Sequence, residues 1–230
     1  MAPSSRADFV NGLVGVACDM QTQVAAIIKH KVLKINNKYW TLASGGTICD
    51  SSRVIQGIPF MQEADWPADI FAVLRARAIT QICHVPDAGH DRLIKLCEAR
   101  NDMSVVTLTT EEEGVGLLAG AWLGGKRGAL LIQSSGVGNI INALALPAAC
   151  RMPLLVIVSM RGEWGEGNPW QLPMGLGTPK VLEAMGVTLF RADSADAVVP
   201  VVDAAAGTAF NTSCSVAVLL SQRLIGAKEF

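Results

Sequence analysis

The chain has 230 residues, with 19 Lys and Arg against 20 Asp and Glu, so its formal net charge at pH 7 is -1. A near-neutral chain without interleaved basic and aromatic residues lacks the usual signature of nucleic-acid binding, and we expect no nucleic-acid partner. Charged residues are only 17% of the chain, where about 25% is usual, and 50% of its residues are hydrophobic. The surplus apolar surface must therefore lie in a core or in a subunit interface.

No stretch of the sequence is typical of a membrane span. The longest apolar segment, 143–160, is interrupted by Pro147, Arg151 and Pro153, whereas a spanning helix needs about 20 apolar residues without such breaks. The six cysteines lie far apart and form no Cys-x-x-Cys pair, which favours reduced thiols over disulfides or a zinc site. We expect a cytoplasmic protein that does not contact a membrane and has no metal ligands of its own.

From Trp66 onward, helical and strand patterns alternate regularly. Short apolar runs predict six strands, at 80–85, 104–109, 128–133, 153–159, 187–190 and 215–220. Helical periodicity predicts helices at 66–78, 87–100, 111–123, 138–150, from Thr178 and Pro179 onward, and at 194–210. A glycine- and proline-rich loop, 160–177, precedes the fifth of these helices. The prediction is an α/β fold: a doubly wound, six-stranded parallel sheet with helices on both faces.

Residues 1–62 do not follow this alternation, and we predict an N-terminal extension there, followed by a domain at 63–230. The extension carries six basic and three acidic side chains and is locally basic from Lys29 through Lys38. This pattern favours a solvated helix face or an ordered arm over an anion-binding site. The sequence assigns the extension no function.

Ligands of parallel sheets bind beyond the carboxyl ends of the strands, and the loop at Thr110 carries the most informative residues. The run Thr110-Glu111-Glu112-Glu113 predicts a capping box, in which Thr110 is the N-cap and Glu113 the third helical residue. The glycines that follow, Gly114, Gly116 and Gly120, are unfavourable within a helix and indicate that another helix or a flat ligand approaches closely. Their spacing misses the dinucleotide-binding pattern by one residue, and the three carboxylates would repel a pyrophosphate.

A second glycine-rich stretch, Gln133-Ser134-Ser135-Gly136-Val137-Gly138-Asn139, lies between a predicted strand and a predicted helix. It is either an ordinary βα turn or a backbone loop pressed against a ligand, with Gln133, Ser134 and Asn139 as polar contacts. Taken alone, the stretch does not decide between the two.

Together, the two stretches resemble the pyrimidine-binding (PYR) domain of thiamine-diphosphate enzymes. The run Glu112-Glu113-Gly114-Val115-Gly116-x-x-Ala119-Gly120-Ala121-Trp122 is similar to the family's E-x-x-x-G-x-x-A-x-G-[YW]-type helix, and residues 135–139 are similar to its S-G-P-G-x-x-N turn. The resemblance covers residues 66–230 and is strongest to the separate α subunits of sulfopyruvate decarboxylase and the matching part of phosphonopyruvate decarboxylase. Further matching residues are Val85-Pro86-Asp87, Met160-Arg161-Gly162-Glu163 and the run from Gln171 to Pro179.

The resemblance implies a role for each of these residues. Glu112 would be the catalytic carboxyl that hydrogen-bonds N1′ of the cofactor's aminopyrimidine. The other cofactor-binding residues would be Gly114, Gly116, Ser135, Gly136, Gly138 and Asn139. No Gly-Asp-Gly run occurs in the chain, whereas the family holds the diphosphate through Mg²⁺ on a domain with that signature. The resemblance therefore implies a separate β subunit that carries this diphosphate- and Mg²⁺-binding (PP) domain.

The expected substrate is a small anionic 2-oxo acid, either sulfopyruvate or phosphonopyruvate. Candidate substrate-binding residues are Asp87, His90, Gln133, Ser134, Arg161 and Gln171. Arg161 suits a sulfonate, phosphonate or carboxylate because its fork binds such oxyanions at two points, and the alternative is a loop salt bridge with Glu163 or Glu166. His90 has the alternative of a surface helix histidine. For the whole chain, the alternative function is a catalytically silent PYR-like assembly or regulatory module.

Overall fold

The computed structural model describes residues 33–35, 38–42, 48–50 and 65–227. The chain divides into two compact units, Met1–Gln62 and Glu63–Phe230. In the first unit, strands β1 (Leu33–Ile35), β2 (Lys38–Leu42) and β3 (Ile48–Asp50) form an antiparallel sheet in the order β1-β2-β3. Lys34 and Lys38 of the basic stretch lie in β1 and β2, so the interpretation of this part as a helix face is wrong. Lys29 lies outside the described residues.

The second unit is built on six strands: β4 (Ile79–His84), β5 (Ser104–Thr107), β6 (Arg127–Gln133), β7 (Leu154–Ser159), β8 (Thr188–Ala192) and β9 (Ser215–Leu220). They form one sheet in the order β5-β4-β6-β7-β9-β8, and every pairing in it is parallel. The helices are α1 (Trp66–Ala76), α2 (Asp91–Glu98), α3 (Glu111–Leu123), α4 (Ser134–Ile140), α5 (Ala145–Cys150), α6 (Leu172–Ala184), α7 (Ala195–Thr212) and α8 (Gln222–Ile225).

Helices cover both faces of this sheet, because successive strand residues point to opposite sides. Leu131 of β6 belongs to a buried cluster with residues of α1, α2 and α7. Leu130, its neighbour in sequence, belongs to a second cluster with residues of α3, α4 and α6. The predicted doubly wound, six-stranded parallel α/β fold is confirmed. Among the described helices, none is long and apolar enough to cross a membrane.

Three of the predicted helices begin at least four residues from their predicted start. Residues 87–90 form a turn, and α2 begins only at Asp91. The predicted helix at 138–150 is two helices, and the first, α4, already begins at Ser134, so the glycine-rich stretch is helical itself. The helix predicted from Thr178 begins at Leu172. It starts early because the Asn168 side chain accepts a hydrogen bond from the Trp170 amide, which initiates a 3-10 turn at Pro169–Gln171 that leads directly into α6.

Candidate active site

The strand order reverses between β4 and β6, since the chain passes from β4 to β5 on one side and then returns to β6 on the other. In open parallel sheets, ligands bind in the crevice beyond the carboxyl ends of the strands at such a switch point. The loop after β4 carries Asp87, and β6 ends at Gln133. The Gln133 Nε2 donates a hydrogen bond of 2.9 Å to the Asp87 Oδ1, so two predicted site residues meet in this crevice.

The start of α3 differs in detail from the predicted capping box. Thr110 is the N-cap in extended conformation, but its side chain makes no capping hydrogen bond. Glu113 does reach back, and its Oε2 accepts a hydrogen bond of 2.9 Å from the amide of Thr109, one residue before the N-cap. Among the described residues, the buried Thr110 Oγ1 has no hydrogen-bond partner. The helix therefore begins with an unpaired hydroxyl beside three carboxylates.

The carboxylate of Glu111 packs onto the glycine-rich helix α4. Glu111 is only 8% exposed, and its Oε2 accepts a hydrogen bond of 2.7 Å from Asn139 Nδ2. It lies directly over Gly136, where an added Cβ would come within 2.6 Å of the Glu111 Cδ. Sequence reasoning assigned Gly136 and Asn139 to a ligand and missed Glu111. Asn139 lies on the next βα unit after α3, and its side-chain amide needs an acceptor. That need was the signal that could have pointed to Glu111.

Glu112, in contrast, is exposed. Within the part of the chain that the structure describes, its carboxylate has no hydrogen-bond partner, although both neighbouring glutamates have one. Gly116 and Gly120 follow at spacings of four residues, so all three lie on one face of α3. A Cβ added at either glycine would meet nothing within 4 Å. Glu112 thus lies at the N-terminal end of an open strip of α3, along which Gly116 and Gly120 present no side chains.

Gly114 has a different explanation from the one that the sequence suggested. A Cβ there would lie 2.5 Å from a methyl carbon of Leu130 and 2.8 Å from one of Leu108, both in the buried cluster beneath α3. This glycine lets α3 approach the sheet closely, so its lack of a side chain is required by the core. The predicted contact of Gly114 with a ligand is not needed to account for it.

A polar network surrounds Asp87. Besides the amide of Gln133, its carboxylate accepts a hydrogen bond from Ser159 Oγ at the end of β7. The Ser135 hydroxyl donates to Gln133 Oε1 at 2.9 Å and extends the network to α4. Asp87 and Ser159 also line a cavity of about 140 Å³ with Arg161 and residues 225–227. Ser159 was missed because it closes an otherwise apolar strand, and its position at the carboxyl end was the only available signal.

The two histidines near the crevice are buried. The His90 side chain is 0% exposed, and its Nε2 lies 3.2 Å from the carbonyl oxygen of Ile132. His90 therefore lies beneath the site rather than in it, and it is not a surface histidine either. His84 is also buried, and its Nε2 lies 3.2 Å from Thr107 Oγ1. Burial lowers the pKa of both imidazoles, which favours their neutral forms.

Arg161 forms a salt bridge within its own loop. Its Nε and Nη2 donate to the two carboxylate oxygens of Glu166 at 2.7 and 2.6 Å, with both side chains buried. The pairing with Glu166, which was the alternative to an oxyanion site, is thus present in the structure. The Arg161 hydrogen bond holds the pKa of Glu166 down to about 2. In this arrangement Glu166 occupies the Nε–Nη2 edge of the guanidinium, and within the described residues Nη1 forms no hydrogen bond.

The two remaining predicted substrate residues lie beside this loop. Ser134 is fully buried, and its hydroxyl accepts a hydrogen bond of 3.1 Å from the Arg161 amide, so it fixes the loop backbone. Gln171 ends the 3-10 turn, and its buried Oε1 has no partner among the described residues. A Cβ added at the other predicted glycine, Gly138, would meet Met174 of α6 at ordinary contact distances. Among the predicted site residues, Gln133 thus forms hydrogen bonds with both Asp87 and Ser135. Glu111 contacts two others, Gly136 and Asn139.

Residues 67–180 match the family model described as the thiamine pyrophosphate enzyme, N-terminal TPP binding domain. The chain is 36% identical over 151 residues to the sulfopyruvate decarboxylase subunit alpha of Methanocaldococcus jannaschii, covering 65% of this chain and 89% of that protein. It is 33% identical to the protein of the same name from Methanococcus maripaludis, covering 66% and 91%. A phosphonopyruvate decarboxylase of Streptomyces viridochromogenes is 37% identical over 100 residues, 43% of this chain and 25% of that protein.

Among solved structures, the chain is similar to a 2-oxoglutarate:ferredoxin oxidoreductase from Magnetococcus marinus. The TM-score is 0.58 at 13% sequence identity, and the match covers 70% of this chain and 29% of that chain. At this identity, the likeness shows that the two share a fold.

Proposed function

The chain belongs to the thiamine pyrophosphate enzyme family, and on that basis we propose that it is the α (PYR) subunit of a thiamine-diphosphate-dependent 2-oxo acid decarboxylase. The proposed reaction converts sulfopyruvate to sulfoacetaldehyde and carbon dioxide. The observation that carries the proposal is Glu112, an exposed carboxylate at the N-terminal end of the open strip of α3 that has no hydrogen-bond partner among the residues the structure describes. Its two neighbours in sequence are already engaged, Glu111 with Asn139 and Glu113 with Thr109.

The residues around Glu112 fit an aminopyrimidine ring. The ring needs a carboxyl group for N1′, a flat surface and a few polar partners. Gly116 leaves open space next to Glu112, and the Thr110 hydroxyl supplies a buried polar atom without a partner among the described residues. Such an unsatisfied group is uncommon in a folded protein and is accounted for if a ligand supplies its partner.

Bound thiamine diphosphate supplies the electron sink for loss of carbon dioxide from a 2-oxo acid. The chain's own contribution is the handling of a proton. The Glu112 carboxyl would form a hydrogen bond with N1′ of the aminopyrimidine and so hold a proton that it can share with the ring. A subunit packed over the exposed face of α3 would exclude water from this carboxyl, and a drier site makes such a hydrogen bond stronger. Asp87, held by Gln133 and Ser159, would orient the substrate at the carboxyl edge of the sheet.

The diphosphate end of the cofactor would bind to a partner subunit. No Gly-Asp-Gly run exists in the sequence, and within the described residues no cluster of His, Cys, Asp or Glu could hold a metal ion. We therefore assign Mg²⁺ and the diphosphate to a β subunit with the PP domain. The relatives named subunit alpha are compatible with this division.

Reconstitution tests this function. The purified chain, a candidate β subunit with the Gly-Asp-Gly…Asn signature, and their mixture would each be assayed for carbon dioxide release with thiamine diphosphate and Mg²⁺. We expect release from sulfopyruvate by the mixture alone. Faster release from phosphonopyruvate would instead identify the phosphonate as the substrate. A mixture that forms a complex but decarboxylates neither compound would contradict the proposal and favour a silent assembly module.

A further inference from the structure

The contact between Glu111 and α4 is not explained by cofactor chemistry. Glu111 is the first residue of α3, directly before Glu112, yet its side chain turns into the protein and is 8% exposed. Its carboxylate spans two residues of α4, since it lies over Gly136 and accepts a hydrogen bond from Asn139. Gly136 and Asn139 are three residues apart and therefore lie on one face of that helix.

We propose that Glu111 is a positioning residue that locks the start of α3 to the start of α4, and thereby sets where Glu112 faces the cofactor. Its effect on activity rests on the proposed function, but the lock itself is a property of this chain. The carboxylate also lies in the first turn of α3, where the helix dipole favours a negative charge. The lock thus joins two βα loops that lie at the same edge of the sheet.

The lock explains why residue 136 is glycine. An added Cβ would lie 2.6 Å from the Cδ and 2.8 Å from the Cγ of Glu111, closer than such carbon atoms approach in real structures. Moving the Glu111 side chain aside to make room for a Cβ would disturb its hydrogen bond with Asn139. Gly136 therefore makes room for a protein side chain, whereas the sequence suggested that it makes room for a ligand.

Glu111 and Glu112 consequently have separate tasks. A residue that acts by accepting a hydrogen bond from Asn139 tolerates an amide, because the Gln side-chain oxygen accepts the same bond. A carboxyl that must hold a proton for N1′ does not. Glu111→Gln should therefore retain most of the wild-type decarboxylation activity, whereas Glu112→Gln should lose it.

A double-mutant cycle on the free full-length chain tests the lock without requiring activity. Gly136→Ala should lower the Tm by about 5 °C or more, as expected for overpacking in a domain of this size. The same substitution in a Glu111→Ala background should cost less than half of that shift, because the clashing side chain is gone. Gly138→Ala is the matched control for Tm, since its Cβ would lie 3.7 Å from the Met174 Cε and should change the Tm little.

Assays of the reconstituted complex then test the positioning role. We expect kcat for Glu111→Gln to stay within about threefold of wild type, while Asn139→Ala and Glu111→Ala raise the apparent KM for thiamine diphosphate about tenfold. Equal Tm losses from Gly136→Ala in both backgrounds would overturn the lock. A loss of activity in Glu111→Gln as large as that in Glu112→Gln would overturn the positioning role. Failure of the complex to decarboxylate any substrate would refute the proposed function and leave the Tm cycle as the test of the lock.

Discussion

Glu112→Gln is expected to lower kcat for decarboxylation in the reconstituted complex by a factor of about 100 or more, the usual scale for a lost acid–base group. Gln has nearly the same shape and still offers an oxygen to a neighbour, but it cannot hold and return a proton. The measurement is steady-state carbon dioxide release at saturating thiamine diphosphate, so that weaker cofactor binding does not mimic the effect.

The matched control is Glu113→Gln, one residue further along the same helix turn. Glu113 accepts a hydrogen bond from the Thr109 amide, and the Gln oxygen can accept it too, so activity should stay within a few-fold of wild type. If Glu112→Gln also stays within a few-fold, Glu112 is not the activating carboxyl.

Glu166→Gln is expected to destabilise the domain by about 3 kcal/mol, since removing one partner of a buried ion pair leaves the other charge uncompensated. The Glu166 carboxylate accepts hydrogen bonds from Arg161, from the amides of Gly162 and Asn168, and from Gln222 Nε2. In either orientation, the side-chain NH2 group of a Gln at this position would face at least two of these donors, so those hydrogen bonds would be lost. Urea unfolding of the full-length chain at neutral pH measures the loss.

Glu163→Gln is the matched control for this change. Glu163 pairs with Arg191 at 2.8 and 2.9 Å, but Arg191 is 38% exposed, so the loss should be below about 1 kcal/mol. Equal losses in the two variants would show that the buried pair has no special importance for stability.

The pH dependence of the Glu166 effect has a definite sign. The folded state holds the pKa of Glu166 at about 2, below its ordinary value of 4.5, so unfolding takes up a proton at acidic pH. The stabilisation is complete above pH 4.5 and falls away as the pH drops toward 2. The stability difference between wild type and Glu166→Gln should therefore shrink over that window. A difference that does not change with pH would contradict the assignment.

The sheet could be predicted from the sequence because its strands are short runs of buried apolar residues. β7 and β9, buried along nearly their whole length, stand out for this reason. The start of α6 could not be predicted, because it depends on the Asn168 side chain capping a 3-10 turn, which periodicity does not record. The turn before α2 was missed similarly, since a helical pattern cannot show that residues 87–90 are held by the network around Asp87.

For the site, the sequence led to a proposal only where a residue belongs to a pattern that the family shares. Glu112 was assigned through the resemblance of its helix to the family pattern, and its activating role is a proposal. Glu111 and Ser159 were missed because each acts through a partner 28 or 72 residues away in sequence. Gly114 and Gly136 were both assigned to a ligand, because the sequence alone cannot distinguish room for a cofactor from room for Leu130 or Glu111.

Exchange of the C2 proton of thiamine diphosphate bound to the reconstituted complex tests the central claim most directly, because it reports activation of the cofactor apart from substrate binding and product release. The exchange rate would be followed by proton NMR after rapid dilution into D2O and an acid quench. We predict an exchange rate at least about 100-fold lower in Glu112→Gln than in wild type, with Glu111→Gln close to wild type. Exchange in Glu112→Gln as fast as in wild type would contradict the assignment of Glu112 as the activating carboxyl.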